Sequence, residues 1–589
     1  MKKYLKNING PEDLKKLQLE ELKILADETR SALINKISKA GGHKGSNLGI
    51  VEVTVALHYV FNSPKDKIVF DVSHQCYPHK ILTGRKEAFL AEEHFNDVTG
   101  YSNPNESEHD IFTVGHTSTS ISLALGLAIG RDVNNKKDNI IAIIGDGSLS
   151  GGEALEGLNY AGEYNKNLII IANDNEQSIA DNHGGLYKSL KDLRETNGES
   201  ANNIFRSFGL DYRYLEDGHD IPKLVALFQS VKDIDHPIVL HIHTIKGKGL
   251  PYAEAERERW HSGGPFNIED GSPKILLTKR KNVVTDSIMD LMDNNPKAIV
   301  VNAAMPKGLG MIKGVREKYE QRGQYIDVGI AEENAMAMIS GIAKNGGTPV
   351  FGTYAAFLQR TYDQLSHDLC LNDSPATILV LRSGVYGMNS NTHLALCDIQ
   401  EFAHVPNLIY LAPSNIEEYR KMFEFATSQK KHPVAIKVPI NMNASGVKDT
   451  TDYSIYNKNK VVQKGSKVAI FAVGILVSMA IEIAEKVKDD IGLEITVVNP
   501  LFLTGLDKEL LNSLKENHSL VITIEDGELM GGYGQNIASY YGDTDMKVKN
   551  YGISKKFHSE FDAEQLLEEN GMSVDKISKV IKEYVKILK

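Results

Sequence analysis

Cysteine, tryptophan and long apolar runs are what this chain has least of. Its 589 residues include three cysteines and one tryptophan. Cys76, Cys370 and Cys397 lie far apart, without the close paired spacing of a metal knuckle, and so read as free thiols, not as a disulfide framework or a zinc site. No stretch approaches the roughly 20 continuous apolar residues of a membrane span. The lysine-rich start, Met1 to Gln18, lacks the apolar core of a secretory signal, so the expectation is a cytoplasmic protein with no membrane partner. Positive charge is not in excess either: 66 Lys and Arg stand against 77 Asp and Glu, a net charge of −11. That balance argues against a nucleic-acid partner, because such affinity comes largely from clustered cations that neutralise phosphates. Any anionic ligand must therefore be held locally, by backbone amides, one or two lysines and a bound cation inside a cleft.

What is present is enough apolar residue, 41% of the chain, to bury several cores. Short β-branched runs alternate with amphipathic segments. Ile140–Ile144, Leu168–Ala172 and Ile238–Ile242 form a first set, Ala298–Val301, Ile378–Leu381, Leu408–Leu411 and Val434–Val438 a second, and Val468–Val473, Glu494–Val498 and Leu520–Ile524 a third. Runs that are apolar on both faces are what buried parallel strands require, so the pattern predicts an α/β protein of three successive doubly wound domains. Polar, weakly periodic seams at Glu254–Lys281 and Asn441–Lys464 place the domains at 1–275, 276–445 and 446–589. Val51–Val55 alternates like a strand, while Leu48, Val51, Val55 and Tyr59 share a helical face; periodicity leaves both open.

The chemistry concentrates where strands end. Gly145-Asp146-Gly147 follows the Ile140 run, and Asn173-Asp174-Asn175 follows the next one. A diphosphate held through a divalent cation needs hard oxygen ligands, and Asp146 and the Asn175 carbonyl can supply two of them. Glycines there let the backbone approach a ligand, at the carboxyl ends of parallel strands where such ligands sit. An isolated Gly-Asp-Gly is more often a plain strand-ending turn.

Strand, Gly-Asp-Gly, helix, strand and Asn-Asp-Asn in that order is the thiamine diphosphate signature of transketolase-like enzymes. Gly41-Gly42-His43, the run Asp71 to Arg85 with its Tyr77-Pro78-His79-Lys80-Ile81-Leu82-Thr83-Gly84-Arg85, Val114 to Ser120 and Phe357-Leu358-Gln359-Arg360 extend the likeness. Over nearly its whole length the chain resembles the 1-deoxyxylulose-5-phosphate synthase family of the transketolase superfamily. The resemblance implies a transketolase-type fold, thiamine diphosphate and Mg²⁺ as cofactors, and a homodimer. It implies Mg²⁺ on Asp146, Asn175 and the Gln177 carbonyl, with His74, His116 and Lys246 contacting phosphate and Gly115, Thr117, Gly145, Gly147 and Ser148 lining the cofactor. Lys246, in a glycine-rich turn after a strand, can reach an anion as a point charge.

By the same resemblance, Glu332 in Ile330-Ala331-Glu332-Glu333-Asn334 is the carboxylate that hydrogen-bonds the aminopyrimidine, Phe357 stacks on that ring and Ile179 holds the cofactor's bent shape. The resemblance makes His43, His74, His261 and His393 the active-site histidines, suited as neutral imidazoles to proton transfer near neutral pH. The implied reaction joins a 2-oxo acid or ketose donor to an aldehyde acceptor. Departures lie in the substrate pocket: Asn105, Asn389 and Ile440 mark the places where the family carries an Arg-Asp-Arg group, leaving Arg382, Arg360 and Tyr354 to hold the acceptor's phosphate. The family reaction of pyruvate with glyceraldehyde 3-phosphate is therefore weighed against a transketolase-like or acyloin-forming enzyme with another donor or an unphosphorylated acceptor, and against a non-catalytic paralogue.

Overall fold

The structure, a computed structural model, describes residues 3–275 and 282–587. It divides into two compact units, Met1–Arg280 with Val328–Ala331, and Lys281–Asp327 with Glu332–Lys589. The expected boundary at 275/276 adjoins residues 276–281, which lie outside the described ones. None of the described helices is long and apolar enough to cross a membrane.

The first unit is built on five parallel strands in the order Lys67–Phe70, Ile140–Gly145, Leu168–Asp174, Pro237–His243, Asp211–Leu215. Alternate residues of each central strand enter opposite cores. Ile141, Ile143, Ile169 and Ile171 pack with helices Leu19–Ala40 and Val51–Val60, whereas Ile140, Ala142, Ile144, Leu168, Ile170 and Ala172 pack with Ser120–Val133 and Gly152–Ala161. This two-sided burial is why the runs are continuously apolar. The ambiguous Val51 stretch is a helix, Val51–Val60, wedged against helices Ile221–Gln229 and Leu19–Ala40. Because Val51, Val53, Val55 and Leu57 are all fully buried, it has no polar face to reveal its period.

The second unit carries two sheets. Six parallel strands run in the order Ile409–Leu411, Val434–Val438, Thr377–Leu381, Thr348–Tyr354, Ala298–Asn302, Tyr325–Asp327. Five more run Lys460–Gln463, Thr496–Asn499, Lys467–Ala472, His518–Glu528, Lys547–Ile553, with the Lys460 edge strand antiparallel. Buried Lys437 links them: its Nζ lies 2.8 Å from Asp398 Oδ2 and 3.2 Å from Asp526 Oδ1.

The segment Tyr77 to Arg85 serves as an ionic latch inside the first unit. Arg85 donates to both oxygens of Asp110, at 2.7 and 3.0 Å, and His79 Nε2 lies 2.9 Å from Asp110 Oδ1. Lys80, fully buried, pairs with Glu106. Glu106 in turn accepts from Thr99 N, and Asp110 from Asn103 N, so the latch fixes the loop that displays Asn105. Removing one member of a buried ion pair strands the other. Asp110→Ala should therefore lower unfolding stability by about 3–5 kcal/mol in urea titrations, while a loss below about 1 kcal/mol would show that the latch is not structural.

Candidate active site

In the first unit the ends of two adjacent strands carry the densest polar chemistry. Gly145 and Asn173 are direct partners across the sheet, so the turn Asp146–Ser150 and the segment Asp174–Asn175 leave it side by side. Asp146 is 1% exposed, and its Oδ2 accepts from Asn182 Nδ2 at 2.6 Å. Burial, and then the charge of nearby Asp174, push the Asp146 carboxyl up to about 8. Asp174, although also buried, is held down to about 2 by His241 and Arg194. The Asn175 and Asn182 side-chain oxygens are buried with no hydrogen-bond partner. A carboxylate whose desolvation the Lys246 charge offsets only in part, with two orphaned amide oxygens, is a hard-oxygen donor set, and it fits Mg²⁺. Among the described residues no group of three or more His, Cys, Asp or Glu assembles for a metal, consistent with a set that has a single carboxylate.

Around this point the backbone is close-set. A Cβ on Gly147 would lie 2.5 Å from Ser178 Cβ, whereas one on Gly145 would meet nothing within 4 Å. Gly145 thus faces open space of the kind a ligand fills. Gln177 bridges to Asp181, Ile179 is half-buried, and the buried Lys246 ammonium donates to the Ser178 carbonyl. The loop with Gly115, His116 and Thr117 is tied to the same turn, since Ser118 Oγ donates to Ser148 O at 2.8 Å.

Three of the expected histidines come together. Ring centroids of His43 and His74 are 5.3 Å apart, of His43 and His261 5.7 Å, and of His74 and His261 5.5 Å. A two-residue antiparallel ladder pairs Gly42 with Gly263 and His43 with Ser262, which brings His261 across more than two hundred residues of sequence. Asn47, fully buried, donates to the carbonyls of both His43 and His74, at 3.0 and 2.7 Å. Val72 and Ser73, just before His74, have φ of 57° and 61°, a strained conformation for non-glycine residues. Burial and the Lys246 charge lower His43 to about 4, and burial, His43 and Lys246 hold His74 well below its ordinary value. Both rings are therefore neutral at neutral pH.

In the second unit Glu332 opens helix Glu332–Lys344 and is 4% exposed. Its Oε2 has no hydrogen-bond partner, and Arg360 Nη1 lies 3.8 Å away. Burial raises its carboxyl to about 7, against the opposing pull of Arg360. Phe357 stacks on Tyr354 with centroids 5.7 Å apart, and His393 meets Phe357 edge-on at 5.4 Å. The Arg382 guanidinium sits 4.8 Å above the Tyr354 ring. Of the substituted positions, Asn105 is exposed, Asn389 donates to Phe561 O at 3.4 Å, and Ile440 is 47% exposed. Sequence reasoning missed Asn182, Asn47 and the Arg194–Asp174–His241 cluster. Asn182, Asn47 and Arg194 sit in polar or glycine-rich stretches and carry no local signal; only His241 and Asp174 interrupt apolar strand runs.

Family models match consecutive parts of the chain: 1-deoxy-D-xylulose-5-phosphate synthase at residues 5–201 and 196–244, the transketolase pyrimidine binding domain at 279–442 and the transketolase C-terminal domain at 457–577. The 1-deoxy-D-xylulose-5-phosphate synthase of Clostridium beijerinckii is 37% identical, covering 98% of this chain and 99% of its own. That of Alkaliphilus oremlandii is 36% identical over 99% of both. The chain belongs to the 1-deoxy-D-xylulose-5-phosphate synthase family. A solved transketolase from Campylobacter jejuni aligns at a TM-score of 0.44 with 17% identity, over 96% of this chain and 100% of that one, a likeness too loose to carry an argument.

For a chain of the synthase family, the buried Glu332, whose Oε2 has no hydrogen bond and lies near Arg360, is the group whose titration can be isolated. A carboxyl raised by folding favours the folded state fully below its unfolded value of about 4.5 and loses that contribution as pH rises through about 7. Glu332→Gln is neutral throughout. Relative to wild type it should gain about 3 kcal/mol of stability between pH 4 and pH 8, read from urea unfolding of cofactor-free protein. Parallel stability curves for the two proteins would show that Glu332 ionises normally.

Proposed function

We propose that this chain catalyses the thiamine diphosphate- and Mg²⁺-dependent condensation of pyruvate with glyceraldehyde 3-phosphate, releasing carbon dioxide and giving 1-deoxy-D-xylulose 5-phosphate. The observation that carries the reading is the buried donor set of Asp146 with the orphaned Asn175 oxygen, in a chain whose named relatives are matched over almost its full length. In this reading Asp146, Asn175 and the Gln177 carbonyl hold the metal, and Lys246, His74 and His116 hold the phosphates. When bound, thiamine diphosphate supplies an electron sink next to the donor's carbonyl carbon. Glu332, with its carboxyl near 7, can hold a proton at Oε2 and share it with a ring nitrogen. Phe357 offers a flat apolar face. The neutral rings of His43 and His74, with His261 beside them, can accept a proton from a hydroxyl and return it to a carbonyl oxygen. Arg382, with Arg360 and Tyr354, takes the acceptor's phosphate. A homodimer, divided as the domains 1–275, 276–445 and 446–589, belongs to the same reading.

The test is to supply purified protein, thiamine diphosphate and Mg²⁺ with pyruvate or hydroxypyruvate, with and without aldehydes, while carbon dioxide and ketose products are followed. Glu332→Gln should still bind the cofactor but slow exchange of its C2 proton, followed by NMR, by about 10²-fold or more. Exchange at the wild-type rate would remove Glu332 from that role.

The exposed, apolar Ile440 favours weak selection for phosphate, the one point at which the alternative of an unphosphorylated acceptor gains support. Ile440→Arg should raise the preference for glyceraldehyde 3-phosphate over glyceraldehyde, in kcat/KM, by about one order of magnitude or more. A wild type that already prefers the phosphorylated aldehyde by more than about 10⁴-fold would mean that other groups replace the missing charge.

A further inference from the structure

Lys246 is the electrostatic centre of the first unit's site: its charge bears on His43, His74 and Asp146, and its ammonium reaches the Ser178 carbonyl. What holds Lys246 there is not evident from its own side chain. The preceding amide, Ile245 N, donates to His219 Nε2 at 2.9 Å. That nitrogen must then carry a lone pair, which places the ring proton on Nδ1. His219 Nδ1 lies 2.9 Å from Glu52 Oε2, and Glu52 Oε1 accepts from Arg30 Nη2 at 2.6 Å. Arg30 and Glu52 are 8% and 7% exposed. The guanidinium thus orients the carboxylate, the carboxylate selects the tautomer, and the tautomer presents an acceptor to the lysine turn.

The neighbours of Ile245 are clamped by other groups, none of which accepts from the Ile245 amide: the Thr244 hydroxyl donates to Asn173 Oδ1 at 2.7 Å. Thr244 N donates to Asp174 O at 2.8 Å and Gly247 N to Gly45 O at 2.9 Å, on either side of Ile245 and Lys246. Gly218, beside His219, donates to His243 O at 2.9 Å, and a Cβ there would come within 2.5 Å of that oxygen. The histidine is therefore seated against the strand that ends in the lysine turn.

We propose that His219, locked in its Nδ1-protonated tautomer by Glu52 and Arg30, is a positioning residue that fixes the Lys246 turn and so sets the affinity of the site for the diphosphate of its cofactor. The role of Lys246 toward that diphosphate rests on the functional reading above. The contact between His219 and Ile245 does not.

Two substitutions separate positioning from general stability. His219→Gln can place an acceptor oxygen near the Nε2 position, whereas His219→Asn reaches only the Nδ1 position. Hydrogen–deuterium exchange of the Ile245 amide and the dissociation constant of thiamine diphosphate with Mg²⁺, by calorimetry on the full chain, are measured in each, with a thermal melt as the control. His219→Asn should expose the Ile245 amide and weaken the cofactor by about 10- to 100-fold, the range for residues that orient a ligand through another group. His219→Gln should retain protection and most of the affinity. Equal behaviour of the two variants, or an exposed Ile245 amide with unchanged cofactor affinity, would overturn the proposal. If His219→Asn does not fold, Glu52→Gln, which frees the tautomer, takes its place and should also expose the amide; continued protection would count against the relay. A wild type that takes up no thiamine diphosphate would overturn the functional reading and the affinity part, while the exchange comparison still decides the contact.

Discussion

A buried carboxylate whose ionisation is opposed by its surroundings, and only partly relieved by the charge of Lys246, sets the electrostatics of the first unit's strand ends. Asp146 stands at the end of a central strand, next to a second carboxylate, Asp174, whose charge is already taken by His241 and Arg194. Low dielectric and like charge oppose ionisation of Asp146 and outweigh the Asn182 hydrogen bond and the Lys246 charge, a balance that an added cation would reverse. The neighbouring structure suits such an addition: the orphaned oxygens of Asn175 and Asn182 are buried beside the strand ends, and Gly145 faces open space. The Lys246 turn and the histidine cluster are arranged around the same point, and the neutrality of His43 follows from burial and from the lysine charge beside it.

The second unit solves a different problem with the same physics. Glu332 is desolvated at the start of a helix, where the dipole favours a carboxylate, but burial outweighs that and holds its carboxyl near neutrality. Tyr354, Phe357 and His393 pack ring on ring, with the guanidinium of Arg382 above Tyr354. One unit therefore concentrates hard oxygen and positive charge, and the other a desolvated acid and a cluster of aromatic rings. These are complementary chemistries.

The run Tyr77 to Arg85, the most distinctive stretch for recognising the family, supplies no ligand of its own in this arrangement. Lys80, Arg85 and His79 are spent on Glu106 and Asp110, which pin the loop displaying Asn105. A highly specific motif can thus mark a family through buried ionic geometry. Breaking one partner of such a latch leaves the other charged and desolvated, which constrains the residues in it as strongly as chemistry would.

Residue pattern was enough to establish the α/β class, the central strands and the strand-end motifs. A parallel strand buried on both faces must be apolar throughout, and a ligand at its carboxyl end demands small or oxygen-bearing residues just beyond it. Asp146 and Asn175 stood out as candidates for that reason, while Glu332 was singled out by its match to the family motif. Edge strand Asp211–Leu215 was not legible, because one flank is solvated and its pattern is mixed. Helix Val51–Val60 was ambiguous, because burial on every side erases periodicity. It took the folded chain to show that His43, His74 and His261 share one cluster, that Asn182 reaches Asp146, and that His219 supports the Lys246 turn through Ile245. Each of these contacts joins residues tens to hundreds of positions apart, and the chain's local pattern carries no record of a hydrogen bond that exists only after the strands have paired.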